Sequence, residues 1–185
     1  MQLFGSYTSP YVRHCRIALA EAGLRCEFIE SDTRTSAERS PSQKLPFLQD
    51  GELLLTDSSS ILRYLREKAG QSFFPSLRDY DDFCLTNTLM DAAQILLVLE
   101  RDGLTPEQSP YLERQRRRID TCLDALAQRP LSGQAPYSDF ELRLGCVLAW
   151  GRYRDRFNFH QYPSLTELLE GLDQYAPFAD TAPPQ

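Results

Sequence analysis

A carboxylate followed by a run of hydroxyls, Asp57-Ser58-Ser59-Ser60, stands where an apolar strand pattern gives way to a helical one. In KLPFLQDGELLLTDSSSI, residues 44–61, the order reads strand, hairpin, strand, helix. The first N–H groups of a helix have no intrahelical partner. Asp57 and Ser58 therefore sit beside free donors, and a carboxylate next to such donors holds an ammonium and a carboxylate together. That suits the zwitterionic end of an amino-acid ligand. Pro46 has no N–H, and an X-Pro bond entering a strand is where a cis peptide exposes backbone hydrogen-bonding groups to a ligand. A second stretch, Ser6-Tyr7-Thr8-Ser9, places four hydroxyls just before Pro10, a residue suited to the first position of a helix. A hydroxyl there lies at the positive end of the helix dipole and favours an anion.

The elements that must position these groups follow from periodicity. Gln2–Gly5 reads as a short strand, and Val12, Cys15, Leu19 and Ala22 recur at helical spacing until Gly23 stops them. Arg25–Glu30 alternates as a second strand, and the polar stretch from Ser31 to Gln43 is expected to be irregular or helical. Asp50-Gly51, between Phe47-Leu48 and Leu53–Leu55, is a two-residue hairpin signal of the type I′ kind. Ile61, Leu62 and Leu65 mark a short helix ending near Gly70.

From Asp79 onward the pattern is helical. Phe83, Thr86, Met90, Ala93 and Leu97 form one stripe, and Leu112, Ile119, Leu123 and Leu126 form another between Pro106 and Arg129-Pro130. Ser138-Asp139-Phe140-Glu141 is a capping box, with Tyr137 and Leu142 flanking it. The helix it opens, through Gly145, Cys146, Ala149, Trp150 and Tyr153, is expected to be central and buried. Pro163 opens a last helix with Leu165, Leu168, Leu169 and Leu172. The expected organisation is an α/β domain over residues 1–76, then an all-α domain over residues 83–185.

Composition narrows the class. A net charge of −6 argues against a nucleic-acid-binding protein, and the basic run Arg114–Arg118 reads as one solvated helix face. No apolar stretch looks long enough for a membrane span and no signal segment opens the chain, so the cytoplasm is the simplest reading. The cysteines at 15, 26, 84, 122 and 146 are odd in number and widely spaced, without a C-x-x-C pair. They read as small buried hydrophobes, and no metal site is expected. His14 and Cys15, adjacent on a helix, point about 100° apart and make a poor dyad.

With these segments in hand the chain resembles the cytosolic glutathione S-transferases. The resemblance rests on SYTSPYVRHCRIAL, KLPFLQDGELLLTDSSSILRYL and YSDFELRLGCVLAW, and on the closing APFADTAP. It implies a thioredoxin-like N-terminal domain that binds glutathione as co-substrate, an all-helical domain that walls a pocket for a small electrophile, and a homodimer. Residue by residue, Ser9 matches the hydroxyl that donates to the glutathione sulfur and is the catalytic candidate. Leu45, before cis Pro46, matches the residue whose backbone pairs with the cysteinyl part. Asp57 and Ser58 match the pair that grips the γ-glutamyl end, and Lys44 is within reach of the glycyl carboxylate. Tyr7 and Thr8 compete with Ser9 for the sulfur. Tyr11, Met90, Leu97 and Tyr153 are candidate walls of the second pocket.

The chemistry agrees with that assignment. A free thiol with a pKa of about 8.5 is slightly ionised at neutral pH, and a hydroxyl donor plus a helix N-terminus both favour its anion. Cysteine is absent both at Ser9 and at Val12, three residues on, which disfavours dithiol exchange and leaves conjugation or peroxide reduction by bound glutathione. The chain looks short for the family between Asp79 and Pro130, so weak activity with common test electrophiles is expected. The competing class is a transferase-like protein that serves as a protein-interaction module without catalysis.

Overall fold

In the computed structural model, which describes residues 1–184, the chain divides into two compact units. One comprises Met1–Pro75 together with the segment starting at Asp173; the other is Ser76–Leu172. The closing segment therefore groups with the α/β unit, whereas the sequence pattern had assigned everything from residue 83 to the helical domain.

The first unit is built on four short strands: β1 (Gln2–Gly5), β2 (Glu27–Glu30), β3 (Phe47–Asp50) and β4 (Leu53–Leu55). Their order in the sheet is β2-β1-β3-β4. β1 pairs with β2 in parallel and with β3 antiparallel, and β3 pairs antiparallel with β4. A parallel neighbour needs a crossover, which is supplied by α1 (Pro10–Ala22). The core forms where Leu3, Phe4, Phe47 and Leu48 of the sheet are sealed, along with Val12, Cys15, Ile17 and Ala18 of α1. Ile61, Leu62 and Leu65 of α3 (Ser58–Lys68) are equally excluded from water. Phe4 stacks on Phe47 with ring centroids 4.4 Å apart. α1 stops as expected at Gly23, whose φ of 60° is left-handed and whose N–H donates to the Ala20 carbonyl.

One open expectation is resolved and one is corrected. The segment after Ser31, which lacked a period, contains helix α2 (Thr33–Arg39), whose N-cap Asp32 accepts from the N–H of Thr35 at 2.8 Å. The hairpin is displaced by one residue: Asp50 pairs with Leu53, so Gly51-Glu52 form the turn. Only Gly51 of these two has positive φ, at 59°, which matches a type II′ turn rather than type I′. Asp50 is held in the strand by its side chain, which accepts from the Tyr64 hydroxyl at 2.6 Å and from Lys68 Nζ at 3.0 Å.

The second unit begins with α4 (Leu77–Arg101), capped by Ser76, whose Oγ accepts from the Asp79 N–H at 3.1 Å. The other helices are α5 (Pro110–Ala127), entered through a 3₁₀ turn at Pro106–Gln108, α6 (Asp139–Arg154) and α7 (Pro163–Asp173). α8 (Ala176–Ala179) lies in the closing segment and packs on α1. No strand follows β4 among the described residues. α4 amends the expectation about apolar length, since it runs 25 residues with an 18-residue stretch of mean hydropathy 1.3, enough by length and composition to cross a membrane. Part of that stretch is packed inside: Phe83, Leu89, Met90, Ala92 and Ala93 are buried, and the helix lies against α5 and α6. The same helix buries Asp82, whose carboxylate accepts from Arg78 Nε at 3.2 Å and Arg129 Nε at 2.7 Å.

α6 is the central helix of this unit, buried continuously from Phe140 to Gly151. Its capping box is complete: Glu141 N–H donates to Ser138 Oγ at 3.2 Å, and Ser138 N–H donates to Glu141 Oε2 at 2.8 Å. The Ser132 N–H also donates to Glu141, which ties the preceding loop to the same carboxylate.

Two outcomes follow. Ser138→Ala should lower unfolding free energy by about 1 kcal/mol, read as a drop in urea midpoint at unchanged m-value. Asp50 carries a pKa below the ordinary carboxylate value, first because of the Tyr64 hydroxyl and then because of Lys68. A depressed carboxylate contributes stability above its unfolded pKa and loses it as pH falls through the folded one. Tyr64→Phe should therefore raise the Asp50 pKa in an NMR titration, and the stability gap between the two proteins should close as the solution is acidified below that range.

Candidate active site

The turn that carries the candidate catalytic hydroxyl is set by how closely α1 can approach β1. Gly5 ends β1, and a Cβ built there would lie 2.6 Å from both Val12 Cγ atoms and 3.2 Å from Val12 Cβ. Only glycine leaves room for the first turn of α1 at that depth. Between them the chain turns through Ser6–Ser9, with the Ser9 N–H donating to the Ser6 carbonyl at 3.1 Å. Ser9 is the N-cap of α1: its Oγ accepts from the Val12 N–H at 3.4 Å, and its carbonyl accepts from Arg13 N–H at 2.9 Å. The cap bond is long, so the hydroxyl is weakly committed. Its proton is not used in that bond and is available to an anion at the helix terminus.

Tyr7 and Thr8 are occupied differently. The Tyr7 ring lies 4.7 Å from that of Phe28 on β2, with the Arg16 guanidinium 4.8 Å from the centroid of the Tyr7 ring. Thr8 Oγ1 shares a hydrogen bond with Ser6 Oγ at 3.1 Å.

The second half of the site is the mouth of α3. Asp57 is its N-cap, exposed, and its Oδ1 accepts from the Ser59 N–H at 2.8 Å. Ser58 is buried at the first helical position. α1 packs along α3, and the Cys15 thiol on α1 faces the Ser58 carbonyl at 4.0 Å. The two capped helix mouths, Ser9 and Asp57, thus belong to adjoining helices of one unit. His14 is buried, with no exposed surface, in keeping with a core position.

Leu45-Pro46 is a cis peptide, with Leu45 half-buried, Pro46 buried and Lys44 exposed. Serines that the sequence pattern did not single out secure this loop. Ser36 Oγ donates to the Gln43 carbonyl at 3.2 Å, and Ser42 Oγ donates to the Thr56 carbonyl at 3.3 Å. The Lys44 N–H in turn donates to Ser42 Oγ at 3.3 Å. Ser42 thereby links the Lys44–Pro46 segment to the residue preceding Asp57. A serine-rich loop with no period offers no sequence signal of such a role.

The candidates for a second pocket fare unevenly. Tyr11 is half-buried on the first turn of α1, and Leu97 is half-buried on α4. Met90 is 0% exposed within the helical unit, so its side chain is core there. Tyr153, at the end of α6, is 46% exposed.

Comparison with known proteins agrees with this geometry. Residues 3–73 match the sequence profile described as Glutathione S-transferase, N-terminal domain. Over the whole of both chains the protein is 29% identical to the uncharacterized GST-like protein YibF of Escherichia coli. A glutathione S-transferase from Methylobacillus flagellatus, solved with glutathione bound, superposes with a TM-score of 0.84 at 26% identity, covering 99% of each chain. One from Methylobacterium radiotolerans, in complex with glutathione sulfonate, gives 0.85 at 26% identity, covering 100% of this chain and 95% of that one. Residues 3–73 thus match the family's N-terminal domain, and the architecture is that of the glutathione S-transferases.

The Gly5 contact yields a test. Gly5→Ala should destabilise the protein by about 1–3 kcal/mol, because Val12 is β-branched and cannot rotate away from the new methyl. Val12→Ala in the same chain should recover part of that loss. Thermal unfolding of the two single variants and the double variant checks the coupling.

Proposed function

We propose that this protein is a glutathione-dependent transferase that uses the thiolate of bound glutathione on a small electrophile. The observation that carries this reading is the pairing of two N-capped helices, one opening on the Ser9 hydroxyl and one on Asp57-Ser58, in a unit whose Leu45-Pro46 bond is cis. The relatives solved with glutathione and glutathione sulfonate add support.

In this reading the Asp57 carboxylate receives the ammonium of the γ-glutamyl end, and Ser58 receives its carboxylate. The Leu45 backbone pairs with the cysteinyl part, and Lys44 faces the glycyl carboxylate. The Ser9 hydroxyl donates to the sulfur. The thiol proton goes to solvent, and the sulfur lone pair forms a C–S bond at an electrophilic carbon. The displaced electron pair then leaves with the departing anion or, at a conjugated double bond, collects a proton from water. Ser9 forms no covalent bond. Its hydrogen bond and the positive end of α1 each stabilise the sulfur anion over the thiol. A charge-assisted hydrogen bond of about 1.5–3 kcal/mol corresponds to about one to two pKa units on that thiol. A homodimer in the cytoplasm and a role in detoxification complete the reading.

The test is binding followed by chemistry. Calorimetric titration with reduced glutathione should saturate. Ser9→Ala should keep glutathione affinity within a few-fold while the bound thiol pKa rises by about one unit and conjugation at neutral pH falls roughly tenfold. Asp57→Ala should instead weaken glutathione binding about tenfold or more. No saturation at millimolar glutathione would remove the enzymatic reading. Full activity in Ser9→Ala would remove only the role of Ser9.

A further inference from the structure

Within the Ser6–Ser9 turn the side-chain bonds are long, a 3.4 Å cap bond, a 3.4 Å bond from Thr8 N–H to Ser6 Oγ and a 3.1 Å hydroxyl contact, beside backbone bonds of 3.1 Å within the turn and 2.9 Å to the Ser9 carbonyl. What grips it from outside is Arg16. The Arg16 guanidinium lies 4.8 Å from the centroid of the Tyr7 ring and 5.3 Å from that of Phe28, and its Nη1 donates to the Thr181 carbonyl at 3.1 Å. Arg13, one turn earlier on the same face of α1, does the same work further along. Its guanidinium lies 3.7 Å from the Phe178 ring centroid, and its Nη2 donates to the Phe178 carbonyl at 2.7 Å. Phe178 and Thr181 are both buried, and Thr181 Oγ1 donates to the Pro177 carbonyl at 2.9 Å and the Phe178 carbonyl at 3.0 Å, which ties Thr181 to the turn that Arg13 holds.

We propose that the closing segment, residues 176–182, is a strap that locks the Ser9 turn through Arg16, and that Arg16 is a positioning residue for the sulfur site. The chain is Thr181 carbonyl, Arg16 guanidinium, Tyr7 ring, turn. Arginine suits it because a planar cation lies on a ring while its edge still donates. The strap has its own anchors. Arg13 holds Phe178, and Tyr175 donates to Glu21 Oε1 at 2.8 Å, so loss of Arg16 frees the turn without releasing the segment. The role in sulfur chemistry rests on the proposed glutathione reading; the mechanical role does not.

The experiment compares the full-length protein with Arg16→Leu, Arg16→Lys, Tyr7→Leu and the Tyr7→Leu/Arg16→Leu double variant. Amide hydrogen exchange reports the turn directly. In Arg16→Leu the Ser9 and Val12 amides should exchange roughly three- to tenfold faster, while the β1–β3 ladder stays unchanged. Arg16→Lys keeps the charge but loses the planar contact and should fall between. The double variant should show less than the summed effect of its parents. The second readout is the ionisation of bound glutathione, followed by thiolate absorbance against pH. Its pKa should rise in Arg16→Leu while the glutathione dissociation constant changes less than twofold, a split that mere loosening of the fold would not give. Unchanged Ser9 and Val12 exchange, or additive effects in the double variant, overturns the strap. Faster exchange with an unchanged thiol pKa overturns the positioning role. If the parent protein binds no glutathione, the transferase reading fails and the positioning role fails with it, while the exchange data still decide whether the strap holds the turn.

Discussion

The depth at which α1 sits against β1, set by the contact of Gly5 with Val12, is the constraint on which the site depends. The missing Cβ at Gly5 lets a β-branched residue of the first helical turn press onto the end of the strand. Four residues then suffice to leave the sheet, turn and cap the helix, and Ser9 falls at the cap. The same helix packs along α3, where Cys15, one turn after Val12, meets the carbonyl of Ser58. Ser9 and Asp57 are not independent features. Both are N-caps whose helices share one packed interface, and a change in how α1 is seated moves one relative to the other.

The back of α1 is braced by charge. The Glu21 carboxylate accepts from Arg66 of α3 at 2.6 Å on one oxygen and from Tyr175 at 2.8 Å on the other. Arg66 and Glu21 are nearly sealed from water, with side-chain exposures of 8% and 13%. Removing one partner of such a pair leaves the other's charge uncompensated in a largely dry site, which is costly in a way that removing an exposed pair is not. The exposed Arg34–Glu38 and Arg63–Glu67 pairs lie on the open faces of α2 and α3 and decide little. The buried carboxylate therefore joins three segments that are distant in sequence: α1, the helix carrying the Asp57 cap, and the closing segment.

The chemistry-bearing caps were legible in the sequence because capping is local. Ser9-Pro10, Asp57-Ser58 and Ser138 to Glu141 each declare themselves within four residues, and the structure places a cap at each. α2 was not legible, since TRTSAER carries no apolar stripe and is held by Asp32 and by Ser36 rather than by a hydrophobic face. The hairpin register slipped because Asp-Gly is a local signal, whereas Asp50 is kept in the strand by Tyr64 and Lys68 on a helix beyond the hairpin. Met90 shows the limit of periodicity, which marks a buried face without saying whether it meets a neighbour or a ligand. The arginine contacts of the closing segment span 165 residues and leave no local trace at all.

The site asks for more precision than its own turn provides. Hydrogen bonds weaken steeply once the donor angle falls below about 120°, and functional groups must hold to within about 0.5 Å to act. A serine hydroxyl rotates freely about one bond, and its cap contact with Val12 is too long to fix it. Thr8 and Ser6 bond to each other instead of to Ser9. The rigid bodies nearest in sequence are the Tyr7 ring, wedged between Phe28 and Arg16, and Pro10, buried at the helix start. Ser9 lies between them in sequence, so two clamps bear on the backbone that carries its hydroxyl. One clamp is covalent and local. The other is a guanidinium that lies over the Tyr7 ring and donates to the carbonyl of Thr181, 165 residues away in sequence.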